Sequence, residues 1–342
     1  MAADHDFMGE LHEQMLADED AYARRHKAAQ TLFNGGDPDA DDLGGEMRAG
    51  YIPRTHLDDH RYYSLGLPSV DTMAGDIRPG EFVAIGASTG HGKSALGEHV
   101  ALDISLRNRV VLFSLEMDRA LAEERLLAKL MRVDILGVAA ARYTKSDDYL
   151  GAVAELQRRD LLLVDPPPAK RTIRDLTRHA EAVTADVVII DYASKIANWD
   201  PGKPANLIVG ELWEWIKHTR TTVFLLAQTK RPGMPGGKRY RPTVHDFSDS
   251  REIENTATRA ILLWRPFHGT RRDTIAELTL GKNRFGREFR AHTHWTGSTG
   301  DFHPMTEDEE KTAPCCRRIP RPQPERKRPA PSTLDPDLLM EM

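Results

Sequence analysis

The segment from Phe82 to Ser94 constrains this chain more than any other. An apolar run, Phe82-Val83-Ala84-Ile85, leads into the small-residue loop Ala87-Ser88-Thr89-Gly90-His91-Gly92, and Lys93-Ser94 then opens a helical stretch. A strand, a tight loop and a helix N-terminus in that order aim several backbone N–H groups and the helix dipole at one concave point. That point suits a polyphosphate: Lys93 reaches the β- and γ-phosphates, and the Ser94 hydroxyl is placed to ligate magnesium. Ala87 stands where the general pattern has its first glycine, with Gly86 just before it. Residues 87–94 are therefore expected to bind a nucleoside triphosphate, in an α/β fold.

The remaining pattern agrees with such a fold. Phe82–Ala87, Val110–Leu115, Leu161–Val164, Val187–Asp191 and Thr222–Gln228 are short, almost purely apolar runs, the mark of parallel strands covered on both faces. Helical stretches over Ser94–Leu106, Arg119–Met131, Thr172–Ala182 and Ala205–Thr219 alternate with them, which predicts a twisted, mainly parallel sheet with helices on both sides. After Arg259 strands follow without long helices (Ala260–Trp264, Thr274–Leu280 and Arg287–Trp295) and predict an antiparallel extension at one edge. Three regions follow: an N-terminal helix and acidic linker over 1–60, a large α/β domain over 61–304, and a tail over 305–342.

The formal net charge of −5 is unevenly spread, with twelve acidic and four basic residues in positions 1–50. Apolar residues at helical spacing over 7–33, including Phe7, Leu11, Met15, Tyr22 and Phe33, predict a helix, and the Gly/Asp-rich run 35–45 a linker. A lone helix is marginal in water, so it either docks on a neighbouring subunit or stays solvated. The acidic run Glu307–Glu310 and the Pro/Arg-rich stretch from Pro314 to Pro331 are expected to be unstructured. No apolar run is long enough to span a bilayer, and Asp4, Asp6 and Glu10 do not suit a signal peptide. The expected location is cytoplasmic. Cys315 and Cys316 are adjacent and cannot by themselves supply a four-ligand zinc site.

Further chemistry collects at strand ends. Asp191 closes the run Val187-Val188-Ile189-Ile190 and is placed to hold the water shell of magnesium. Glu116 follows the second strand and emerges on the same edge as the phosphates, where a carboxylate can deprotonate an attacking water. Gln228 ends the fifth strand, where an amide can register the γ-phosphate. Directly after it, Thr229–Thr243 holds Lys230, Arg231, Lys238, Arg239 and Arg241 with Tyr240 and no acid. A cationic loop with an aromatic suits a nucleic-acid backbone. Lys282 and Arg284 lie in a basic turn, Lys282-Asn283-Arg284-Phe285-Gly286, from which an arginine can reach a neighbour's nucleotide more easily than its own.

Taken in order, the 87–94 loop, Phe113-Ser114-Leu115-Glu116-Met117, Ile190-Asp191-Tyr192, Ala227-Gln228, the stretch Asp246 to Glu254 and Lys282–Gly286 resemble the motor domain of DnaB-type replicative helicases. The resemblance covers about residues 60–300 and includes Ala87. It leaves only some sixty residues where that family has its helical N-terminal domain. Arg251 and Glu252 depart from the small residues usual there, and Ser248 stands near a usual arginine.

The resemblance implies a RecA-like P-loop core in a six-membered ring, with ATP and Mg2+ between subunits and single-stranded DNA in the channel. Lys93 and Ser94 would then bind phosphate and metal, Glu116 would be the base and Asp191 would serve the metal. Gln228 would link nucleotide to DNA, and Lys282 and Arg284 would act in trans. A primase or a loader is the expected partner at a replication fork. Two other functions fit the same residues: a RecA-like DNA-dependent ATPase of recombination or repair, and a helicase-loading ATPase that does not unwind.

Overall fold

A strand with no polar face has to be covered on both sides, and the central strands of this chain have none. The computed structural model describes residues 62–75, 77–197, 205–230, 240–248 and 251–312. The helix expected over 7–33, the linker over 35–45 and the tail after 312 lie outside them. Strands β1 (Phe82–Ala87), β2 (Val110–Ser114), β3 (Leu161–Val164), β4 (Val187–Asp191), β5 (Thr222–Gln228) and β6 (Arg259–Trp264) are buried at every position except Gln228. With β7 (Ile275–Asn283), β8 (Phe289–Thr296) and β9 (Asp301–Pro304) they form one nine-stranded sheet in the order β3-β2-β4-β5-β1-β6-β7-β8-β9.

The described helices are α1 (Pro68–Ala74), α2 (Lys93–Ile104), α3 (Arg119–Met131), α4 (Ile135–Ala139), α5 (Asp147–Arg158), α6 (Ile173–Ala182), α7 (Ala205–Thr219), α8 (Arg251–Thr256) and α9 (Glu307–Thr312). Because strand side chains alternate, the sheet has two cores. Val83 and Ile85 face α2 and α3 through Leu96, Val100 and Leu126. Phe82 and Ala84 face the other way, in the core built by Leu176 of α6 and Leu212 and Ile216 of α7. Helix starts follow local chemistry: Asp118 caps α3 by accepting from Leu121 N–H, and Thr172 with Asp175 forms a capping box on α6.

The structure corrects the sequence reading at several places. β6 runs parallel to β1, with Ile85 opposite Ile261, so it is the sixth parallel strand and not part of the antiparallel extension. The extension is β7, β8 and β9, joined by antiparallel pairs from β6 outward. An apolar run does not encode its direction. The connection does, and from β5 to β6 the chain crosses back through α8. α1, α4, α5, α8 and β9 were not expected; α5 buries only Ala152 and Leu156, a stripe too thin to stand out. The acidic run read as unstructured forms α9, where acids in the first turn suit the helix dipole. α9 belongs to a second unit that begins at Glu307.

Candidate nucleotide-binding site

Parallel strands end on one edge, and four of the expected residues meet there. β1 ends at Ala87, β2 runs into Glu116, β4 ends at Asp191 and β5 at Gln228. Residues 88–94 turn over this edge. Gly90 and Gly92 have φ of 81° and 96°, a left-handed backbone that residues with a side chain resist. A Cβ on Gly92 would also lie 3.2 Å from the Trp295 ring. The loop is tied down by Thr229 N–H donating to Ala87 O at 3.0 Å and by the Ser88 and Thr229 hydroxyls at 3.1 Å. Beside it opens a cleft of about 540 Å³, lined by Ser88–Gly90, Gly92–Ser94, Glu116 and Gln228 among others.

The electrostatics of the cleft suit a magnesium-bound polyphosphate. Lys93 is buried, its Nζ 3.7 Å from the Tyr192 ring centre. Asp191 is 4% exposed, and its Oδ1 is buried without a hydrogen-bond partner. Burial pushes the Asp191 carboxyl up to about 6; the Ser94 hydrogen bond and Lys93 pull it down, while Glu98 and Glu116 add to the rise. An unpartnered buried carboxylate oxygen beside a serine hydroxyl fits a hydrated divalent cation, which would supply the missing positive charge. Among the described residues no group of three or more His, Cys, Asp or Glu could hold a metal, so phosphate oxygens would have to complete the shell. Glu116 stands exposed at the end of β2, on a turn braced by Ser114 Oγ donating to Met117 O at 2.7 Å.

Several site residues have no motif to announce them. Glu98, a turn beyond Ser94, is buried and takes Arg125 Nε at 2.5 Å and Nη2 at 3.1 Å, with Lys129 Nζ at 3.5 Å. Lys129 also donates to Gly300 O. Burial opposes both cations. Glu98 outweighs it for Arg125, whose pKa is raised, but not for Lys129, whose pKa is lowered. Arg265 donates to Gly90 O at 2.8 Å, packs 4.6 Å from the Trp295 ring and pairs with Asp273 at 3.4 Å. Arg125, Arg265, Asp273 and Trp295 all line the cleft. The available signal was charge inside apolar stretches, which requires a partner.

The expected DNA-contacting residues divide. Arg231, Lys238 and Arg239 lie outside the described residues. Lys230 starts the loop, its N–H donating to Asp246 O at 2.7 Å. Tyr240 donates its hydroxyl to Asp246 Oδ2 at 2.6 Å. Arg241 has a partner within the fold: its guanidinium stands 2.7 Å from the fully buried Glu277 and 4.7 Å from the centre of the Trp264 ring. Glu277 draws it in, together with Arg290 and His292, because a buried carboxylate needs cations. Ser248 holds the strand end, its N–H and Oγ both donating to Gln228 O at 2.8 Å.

Lys282 and Arg284 are not among the cleft residues. Lys282 Nζ donates to Glu254 O and Asn255 O, and Arg284 Nη2 to Asn255 O at 3.0 Å, so both cap the C-terminus of α8. Burial and Arg284 lower the Lys282 pKa. Among the described residues, no helix is long and apolar enough to cross a membrane.

Comparison with known proteins places this geometry. The family model described as DnaB-like helicase C terminal domain matches residues 64–304. The replicative DNA helicase DnaB of Treponema pallidum (strain Nichols) is 28% identical over 233 residues, 65% of this chain and 51% of that protein. A probable plasmid replicative DNA helicase of Chlamydia psittaci is 25% identical over 304 residues, 82% of this chain and 65% of its own. The chain thus spans about half the length of the first of these relatives and under two-thirds of the second. Among solved structures, an isolated ATPase domain aligns with a TM-score of 0.63 at 20% identity, covering 73% of this chain and 94% of that one. A DnaB-like replicative helicase, described with its interactions with primase, aligns at 0.67 and 18% identity, covering 86% and 76%. These two likenesses show the fold, the RecA-like α/β core expected from the sequence.

Proposed function

The chain belongs to the DnaB-like helicase C terminal domain family, and from that we propose that it is an ATP-driven, ring-forming translocase on single-stranded DNA that unwinds duplex during replication. The observation that carries the proposal is the meeting of Lys93, Asp191, Glu116 and Gln228 on one sheet edge, with the cationic loop leaving directly from Gln228. The motor unit runs over about 61–304, supported by the match over 64–304.

In this reading the backbone N–H groups of the 87–94 loop and Lys93 grip the triphosphate. Ser94 and Asp191 hold magnesium, which when bound offsets phosphate charge. Glu116 takes the proton of the attacking water, a role open to a carboxylate at the mouth of the cleft. Gln228 hydrogen-bonds the γ-phosphate, and its loss is felt at Thr229 and Lys230, which begin the loop. Lys230, Arg231, Lys238 and Arg239 contact the DNA backbone, and Tyr240 shapes the far root of the loop.

Lys282 and Arg284 serve the nucleotide of a neighbouring subunit, which requires them to exchange the α8 carbonyls for phosphate oxygens when a ring of about six chains closes. A primase or a loader is the proposed partner, the first supported by the solved DnaB-like replicative helicase described with its interactions with primase. A forked-duplex unwinding assay with ATP, run beside a strand-exchange assay, tests the whole. Unwinding without exchange is the expected result, and exchange without unwinding refutes it.

A further inference from the structure

Arg171 lies outside every motif above, between the turn Pro168–Lys170 and helix α6, yet its side chain reaches the segments that follow β2 and β3. Its Nη1 donates to Leu115 O at 2.6 Å, the carbonyl immediately before Glu116. Its Nε donates to Pro166 O at 2.8 Å, and its Nη2 pairs with Asp165 Oδ1 at 3.3 Å, both just past β3. Its own carbonyl accepts from Ala197 N–H at 2.8 Å, in the segment that follows β4 and Asp191.

Asp165 continues the chain of contacts, for it accepts from the backbone N–H of Arg119, the first residue of α3. The turn that carries Glu116 is therefore held at both ends. Leu115 is held by Arg171, Arg119 is held by Asp165, and the Arg171–Asp165 pair closes the ring. On the inner side, Leu115 N–H donates to Asp191 O at 2.8 Å, so the two carboxylate-bearing strand ends are already joined. Capping on α6 fixes the backbone from which Arg171 reaches out, through Thr172 and Asp175.

We propose that Arg171 is a positioning residue for hydrolysis: its guanidinium clamps the Leu115–Arg119 turn and so sets where the Glu116 carboxylate stands over the cleft. The inference rests on Glu116 being the base. Glu116 is exposed, and among the described residues its side chain has no hydrogen-bond partner, so its position is inherited from the turn. The guanidinium spreads its donors over three nitrogens in one plane, one for each of the two carbonyls and the carboxylate; an ammonium has three donors but presents them all from a single nitrogen.

The test is single-turnover hydrolysis by the full chain with Mg-ATP and single-stranded DNA, with active sites counted by binding of a fluorescent nucleotide. Arg171→Ala is expected to slow hydrolysis per bound nucleotide about tenfold to a hundredfold, the scale of a misplacement near 1 Å, and to leave nucleotide affinity within about twofold. Arg171→Lys should recover part of that rate. In a Glu116→Gln background Arg171→Ala should slow hydrolysis no further, because both changes remove one function.

A purely structural residue would lower the melting temperature but leave the rate per bound nucleotide unchanged. That result with Arg171→Ala overturns the proposal, as does an equal slowing in the Glu116→Gln background. Should Arg171→Ala fail to fold, Arg171→Lys and Asp165→Asn decide by the same two readouts. A fully active Glu116→Gln would refute the base assignment instead, whatever Arg171 does.

Discussion

Arg241 separates two roles that a cationic loop residue can have. If it anchors the loop, Arg241→Ala should weaken the fold and leave the electrostatics of DNA binding alone. Its hydrogen bond to Glu277 at 2.7 Å is charge-assisted and buried on the acceptor side; such bonds contribute about 1.5–3 kcal/mol, and stacking on Trp264 adds about 1. Arg290 and His292 remain on Glu277, so the full cost of an abandoned buried charge, roughly 3–5 kcal/mol, should not appear.

A loss of about 2.5–4 kcal/mol follows, which for a domain of this size lowers the melting temperature by roughly 5–15 °C. Thermal unfolding measures that, and anisotropy of a labelled oligonucleotide against salt measures the other half. Each lost phosphate contact flattens the slope for a single strand by about 0.7, so Arg241→Ala should change it by nothing resolvable, while Lys238→Ala with Arg239→Ala should change it by about 1.4. A variant that melts with the wild type and flattens the slope by one contact would refute the anchor and restore Arg241 to the DNA.

Four further outcomes are expected. Lys93→Ala should lose nucleotide-dependent activity, since among the described residues no other lysine lines the cleft; hydrolysis near the wild-type rate would remove the phosphate assignment. Glu116→Gln should bind ATP and DNA but hydrolyse on the order of a hundredfold or more slowly, measured by phosphate release; a normal rate would move the base elsewhere. Arg284→Ala should bind nucleotide yet lose about three to five decades of hydrolysis, and mixed with Glu116→Gln it should regain ATPase that neither shows alone; silence of the mixture and of Arg284→Ala would count against a ring. Burial holds the His179 imidazole down at about 4. The folded chain therefore binds fewer protons than the unfolded one, and stability should fall by about 3 kcal/mol as pH drops from about 6.5 to 4; His179→Leu should flatten that acid limb in urea unfolding, and superimposed limbs would contradict it.

What could be read from the sequence follows from what each pattern encodes. β1, β3, β4 and β5 match their apolar runs to the residue, because a buried parallel strand is a continuous apolar run bounded by polar residues. Direction is not in such a run, and β6 was assigned to the wrong part of the sheet for that reason. The placement of the 87–94 loop, Asp191, Glu116 and Gln228 on one edge is legible because strand order converts into a shared edge. Arg241 was read by its charge alone, and its partner Glu277 lies thirty-six residues on, in a strand whose pairing could not be foreseen.

Glu98 shows how a less visible residue becomes legible by the same physics. Helix α2 buries nine of its twelve residues, Glu98 among them. A carboxylate so placed persists only with cations in reach, and the partners must come from a neighbouring helix on the same face of the sheet. Arg125 and Lys129 stand four apart on α3, one turn of one helical face, which is the spacing that lets both meet a single carboxylate. The pairing has a consequence for the site. Ser94 and Glu98 share α2, while the turn that bears Glu116 runs directly into α3. In the proposed reading, Glu98 with its two cations would fasten the element that grips phosphate to the element that carries the base, while Lys129 donates to Gly300 O, which lines the same cleft. If the chain works in the proposed ring, motion between subunits would then move the whole site as one body, with the distance between phosphate grip and base set inside each chain.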